Sequence, residues 1–159
     1  MGLRLTRAAE YGIRAMMHVG SLAEGTVGLK DEIAEAQEIP PSFTAKILRQ
    51  LVKAGLLRSA RGVHGGFALA RPPLEISLLE ILEAIEGPIQ LTLCSPDPQN
   101  CTLSHDCPVS TVWFEVQRQM TDLLGATTLE ALLAAPRRNR RVVYQIGGGK
   151  PVAGSGPAL

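Results

Sequence analysis

Apolar residues first recur at helical spacing just after Thr6. Ala9, Ile13, Met16, Met17 and Val19 form one stripe, with Thr6 placed as N-cap, so the pattern predicts a helix to about Leu22. Glu10 borders that stripe, and Tyr11, Arg14 and His18 share another face at i, i+3 and i+7. After a loop over Ala23–Gly28, a short helix over about Lys30–Ala36 turns Ile33 and Ala34 inward. Ile39-Pro40-Pro41 forces a turn, because proline suits a first helical position and breaks a preceding helix. The third helix is predicted over about Ser42–Ala54, burying Phe43, Ile47, Leu48 and Leu51, with Gly55 as C-terminal cap. Its other face carries Ser42, Thr44, Ala45, Lys46, Arg49 and Gln50. A short helix, a tight turn and a second helix with a small, hydrogen-bonding and basic outer face form a helix-turn-helix pattern.

The period then changes. Leu56-Leu57-Arg58-Ser59 and Phe67-Ala68-Leu69-Ala70 read as antiparallel strands around Ala60-Arg61-Gly62-Val63-His64-Gly65-Gly66. Three glycines at the tip permit positive φ and close approach of the backbone to a surface. With Arg58, Arg61 and His64 beside them, the hairpin is predicted to be a wing lying along or within a minor groove. A phosphate-cradling P-loop is disfavoured, because the G-x-x-x-x-G-K-[ST] order and the following helix are missing.

Helical spacing returns at Ser77-Leu78-Leu79-Glu80, a capping box opening a helix with Leu78, Ile81, Leu82 and Ile85 on one face, closed by Gly87-Pro88. A polar loop spans about Leu93–Cys107. Pro108 is predicted to start a longer helix to about Leu124, with Val109, Val112, Trp113, Val116, Met120, Leu123 and Leu124 in one apolar stripe. That stripe can pack on the first helix, pair with its copy in a second subunit, or both. Thr127-Thr128-Leu129-Glu130 caps a last short helix ending near Ala135. The Gly- and Pro-rich end is expected to be disordered.

Charge sharpens this picture more than composition does. The net charge is +1, yet no acidic residue occurs from Ile39 to Leu74, where Lys46, Arg49, Lys53, Arg58, Arg61 and Arg71 lie. From Glu75 to Ala135 nine acids face a single base, Arg118. A basic block beside an acidic one points to a polyanion-binding half and a half with another task. An apolar content of 45% suffices for a core, no apolar run reaches the length of a membrane span, and the first residues have no secretory h-region. A reducing, cytoplasmic location is therefore expected.

All three cysteines fall within fourteen residues: Cys94, Cys101 and Cys107, spaced C-x6-C-x5-C. An odd number cannot pair off as disulfides, and the spacing is loose for a zinc knuckle. Three thiolates in one polar loop suit a soft metal centre whose fourth ligand comes from elsewhere in the fold or from another chain. His105 is one candidate.

Leu3-Arg4-Leu5-Thr6, the segment Ala54-Gly55-Leu56-Leu57-Arg58-Ser59-Ala60-Arg61-Gly62 with Gly65-Gly66-Phe67, and the three-cysteine loop together resemble the bacterial winged-helix regulators of the family that includes IscR and NsrR. The resemblance runs from about Leu3 to Leu133. It implies an iron–sulfur cluster (2Fe–2S or 4Fe–4S) on Cys94, Cys101 and Cys107, a homodimer built by the helix after the cluster loop, and binding to double-stranded promoter DNA. Two departures stand out. The first cysteine gap holds six residues where five is usual, and Ser110 occupies the place of the histidine of IscR-type members. NsrR-like members use a first-helix carboxylate instead, and Glu10 falls at the matching position.

The expected fold is mainly α with a small β-hairpin wing: a winged helix-turn-helix domain over residues 1–76, cluster loop and dimerisation helices over 77–135, and a tail over 136–159. The expected function is a homodimeric, sequence-specific transcription repressor or other regulator whose DNA affinity an iron–sulfur cluster controls, with no enzymatic activity and no membrane partner. Lys46, Arg49, Arg58 and Arg61 are assigned mostly to phosphates, Ser42 and Thr44 to base edges, and His64 and Gly65 to the wing. The alternative is a cluster-free regulator that uses its thiols for redox sensing or for zinc. A redox enzyme or electron carrier is disfavoured by the absence of a fourth cysteine and of a dinucleotide fingerprint.

Overall fold

A computed structural model describes residues 5–60, 62, 65–92, 101–102 and 106–135. The element order is α1 (Arg7–Gly20), α2 (Lys30–Ala36), α3 (Pro41–Lys53), β1 (Leu57–Ala60), β2 (Gly66–Leu69), a 3-10 turn (Pro73–Glu75), α4 (Leu78–Glu86), α5 (Ser110–Ala126) and α6 (Leu129–Ala134). Among the described residues the fold is mainly helical with one small antiparallel hairpin.

Local chemistry sets the helix ends. The Thr6 hydroxyl accepts from the Ala9 N–H at the start of α1. It also donates to the Glu86 carboxylate, tying that end to the end of α4. Pro41 occupies the first turn of α3, where a missing N–H costs nothing. Gly55, at φ 71°, ends the helix: its N–H donates to Val52 O and that of Leu56 to Leu51 O, satisfying two end carbonyls. The Ser77–Glu80 capping box forms as expected, with Ser77 N–H donating to the Glu80 carboxylate at 2.8 Å.

β1 and β2 pair with Leu57 opposite Leu69 and Ala60 opposite Gly66. Gly28 adds a further bridge to the hairpin, exchanging two backbone hydrogen bonds with Phe67 at 2.8 and 2.9 Å. The hairpin is thereby fixed to the chain between α1 and α2.

The centre of the core is α1, packed against α2, α3, α4, α6 and β2. Such enclosure explains a departure from the expected stripe. Tyr11 and Ala15 are buried along with Ala9, Met16 and Val19, whereas Ile13 and Met17 are only partly covered. A single apolar cluster joins Met16, Ile33, Ile47, Leu48 and Leu51 to Ile76, Ile81 and Leu129. Leu129 is held there by donation of its N–H to Ile76 O at 2.7 Å. The core thus runs continuously across the Ile76–Ser77 boundary. No helix among the described residues is long and apolar enough to cross a membrane.

Candidate functional site

The outer face of α3 departs from expectation at two adjacent residues. Thr44 is 1% exposed, and its hydroxyl donates to Pro40 O at 3.2 Å and to Ile39 O at 3.4 Å. A base contact by Thr44 is therefore corrected: the side chain faces inward and closes the turn between α2 and α3. Phe43, expected in the core, is 41% exposed. The apolar demand of the core is met without it by Ile47, Leu48 and Leu51.

Phe43 is nevertheless held. Its ring meets Tyr11 edge to face, with centroids 5.7 Å apart. The Arg14 guanidinium lies 5.9 Å from the centre of the Tyr11 ring and donates to Gln37 O at 3.3 Å. The Tyr11–Arg14–His18 face noted in the sequence therefore braces the turn that launches α3, and Gln37 Nε2 lies 3.4 Å from His18 Nδ1.

Ser42, Lys46 and Arg49 are exposed on α3, and Arg49 Nε donates to Ala45 O at 3.1 Å. Arg58 is exposed on β1 and donates to Leu69 O at 3.3 Å. Gly65 is half-buried, its N–H donating to Gly62 O at 2.9 Å. Arg61 and His64 lie outside the described residues. Arg71, from the basic block, turns away to the Glu80 carboxylate at 2.8 Å. Burial pushes the Glu80 carboxyl up, but hydrogen bonds from Ser77 N–H, Arg71 and the Ser77 hydroxyl bring it below the usual carboxylate range.

Around the cysteine loop, Cys101 and Cys107 are half-buried free thiols, and Cys94 and His105 lie outside the described residues. Both flanks of the loop are tied to α5. The Gln117 amide donates to Ile89 O at 2.7 Å and accepts from Leu91 N–H at 3.0 Å. At the other flank, the Ser110 hydroxyl donates to Cys107 O at 2.7 Å. This bond closes a turn at the helix start, so α5 begins at Ser110, two residues later than Pro108. Glu10 is exposed on α1. Gln117 had no recognisable sequence signal beyond a polar residue beside an apolar stripe.

Most of the apolar stripe of α5 does not pack on its own protomer, although its members Met120 and Leu124 are partly covered. The covered side bears Ser110, Phe114, Gln117, Thr121 and Leu124, while Val109, Val112, Trp113, Val116 and Leu123 stay exposed. A third side is ionic: Arg118 bonds Glu115 at 2.6 Å and Asp122 at 2.8 Å. The Arg118 and Gln119 hydrogen bonds lower the Glu115 carboxyl to about 2. An uncovered apolar stripe beside a solvated ionic one is the arrangement of a helix awaiting a partner.

The family model described as "Iron-dependent Transcriptional regulator", Rrf2, matches residues 5–135. The chain belongs to the Rrf2 family. It is thus a DNA-binding transcription regulator of winged-helix type. Among its relatives, a chain from Mycobacterium tuberculosis assigned as an HTH-type transcriptional regulator is 38% identical over 130 residues, covering 80% of this chain and 79% of the other. The transcriptional regulator IscR of Xenorhabdus nematophila is 32% identical over 132 residues, covering 82% and 79%. Of solved structures, T. potens IscR is similar with TM-score 0.65 and 27% identity, covering 84% of this chain and 88% of that one. The Bacillus subtilis cysteine regulator CymR shares the fold, with TM-score 0.69 and 23% identity over 84% of this chain and 98% of that one. The Rrf2 match spans the α3 face, the wing and the cysteine loop together.

Proposed function

We propose that this Rrf2 protein is a homodimeric, sequence-specific DNA-binding regulator whose affinity for promoter DNA is set by an iron–sulfur cluster on Cys94, Cys101 and Cys107, with Glu10 as fourth ligand. The observation that carries the reading is the attachment of both flanks of the cysteine loop to α5, the helix whose apolar stripe is uncovered. A change at the loop then bears directly on the helix that sets the distance between two reading heads. The donor set fits such a group: thiolates suit iron, Cys101 and Cys107 are unpaired and partly accessible, and three thiolates leave one position for an oxygen ligand. Glu10, exposed on α1, is free of its own core and available to a second copy. When bound, the cluster supplies a centre sensitive to oxidation, to nitric oxide and to iron loss.

On the DNA side, Ser42 reads a base edge, Lys46, Arg49, Arg58 and Arg61 contact phosphates, and His64 and Gly65 serve the wing's approach to the groove. Residues 1–76 do the reading, and residues 77–135 sense and pair.

Anaerobic purification with a visible spectrum and iron and sulfide counts tests the cluster. Cysteine-to-alanine changes at Cys94, Cys101 and Cys107 should each abolish the chromophore. A colourless protein that holds zinc, or that responds to oxidants without iron, would replace the cluster with direct thiol chemistry. Glu10→Ala should leave a less stable cluster with a shifted spectrum. A shift from His105→Ala with none from Glu10→Ala would move the fourth ligand to His105.

A further inference from the structure

We infer that Phe43 is a specificity-determining residue of the DNA-reading head, selecting a thymine through its C5 methyl group. The inference rests on the DNA-binding reading and goes beyond it in naming what is read.

Three observations converge on Phe43. The first is position: it stands in the opening turn of α3, and the N-terminal residues of a recognition helix are those that reach base edges. The second is the chemistry available there. The exposed side chains of the first turns of α3 are Pro41, Ser42, Phe43, Lys46 and Arg49. None is an amide that could pair with adenine, and none before Lys46 is a cation that could pair with guanine. Thr44, the other hydroxyl, is buried. The opening turn therefore offers one hydroxyl and one phenyl ring, and the apolar feature of the major groove is the thymine methyl.

The third observation is rigidity. A half-exposed phenylalanine is ordinary on a protein surface. This one is held by its edge-to-face contact with Tyr11, itself buried and held under Arg14, which bonds the Gln37 carbonyl at the turn into α3. The ring is thus pre-positioned, so little conformational entropy is lost when a methyl group packs against it. Lys46, one turn further on, supplies charge to hold that turn close to the DNA.

The test uses the protein as purified. Duplexes selected by the wild type from a random library give a consensus, and each thymine in it is replaced singly by uracil, which removes only the methyl. At one thymine per half-site, uracil should weaken wild-type binding about fourfold, the worth of one buried methyl. Phe43→Ala should bind that site more weakly and lose the distinction between thymine and uracil there. As a measurement that needs no variant, 5-iodouracil at the same position should photocrosslink to Phe43. Equal thymine-to-uracil penalties in wild type and Phe43→Ala, or a crosslink to a different residue, would overturn the assignment. A wild type that selects no consensus at all would overturn the sequence-reading function itself, a result distinguishable from failure of Phe43 alone.

Discussion

Gln117 of α5 holds Leu91 by accepting its N–H at 3.0 Å, and the same amide donates to Ile89 O at 2.7 Å. One side chain thus satisfies a donor and an acceptor of the chain leading into the cysteine loop. Gln117→Leu should cost about 1–3 kcal/mol, because it strands two partly buried backbone groups. Hydrogen exchange at the Leu91 amide should accelerate. Unchanged stability and exchange would mean that the lead-in is held by its apolar contacts alone.

Thr44 and Ser42 should separate cleanly. Thr44→Val removes a buried hydroxyl that bonds the carbonyls at the start of α3, so stability should fall by about 1 kcal/mol. Its ratio of specific to non-specific DNA affinity should stay at the wild-type value. Ser42→Ala should do the reverse, leaving the denaturation midpoint in place and lowering that ratio. Binding titrations on one specific and one scrambled duplex, with urea melts alongside, decide both.

Val116 is 43% exposed within the protomer. A glutamate there can be solvated in the isolated chain, so Val116→Glu should fold normally. In a two-fold pairing of α5 stripes the same charge is buried without a partner. Sedimentation should therefore show a folded monomer with weakened operator binding. A folded dimer would place the pairing surface elsewhere.

The Glu80 carboxyl titrates below its ordinary value of 4.5. A group whose folded pKa is depressed contributes stability above its unfolded pKa and loses it as pH falls through the folded value. Glu80→Gln should therefore be less stable than wild type at neutral pH. The gap should narrow as pH drops from 4.5 into the range where the folded carboxyl itself protonates. Both residues of the Glu80–Arg71 pair are more than a third exposed, so added salt should shrink the gap as well. Urea midpoints of the two proteins across that pH range measure the effect.

The sequence by itself determined what local physics governs. Pro40-Pro41 and Gly55 bracket α3, Ser77-Leu78-Leu79-Glu80 caps α4, and two short segments with glycines between them set the wing hairpin. Each rests on backbone constraints carried by a few neighbouring residues. The basic block and the clustered thiols were equally legible, since charge and sulfur need no fold to be counted. Periodicity also named the buried Ile33, Ala34, Ile47, Leu48, Leu51, Ile81 and Leu82, whereas tertiary structure decided the inner side of α1 and α5 and the places of Phe43 and Thr44. Tyr11 and Phe43 exchanged their expected environments because α1 is enclosed by several elements, not packed by one stripe, and periodicity assumes a single buried face. Thr44 went inward, its hydroxyl donating to Ile39 O and to Pro40 O, the latter also accepting the Phe43 and Thr44 N–H groups at the start of α3. On α5 most of the stripe named by periodicity stayed uncovered, Met120 and Leu124 apart, while Gln117 and Ser110 packed inward. Polar side chains are buried where the fold presents matching backbone groups, here those of residues twenty-eight, twenty-six and three positions away.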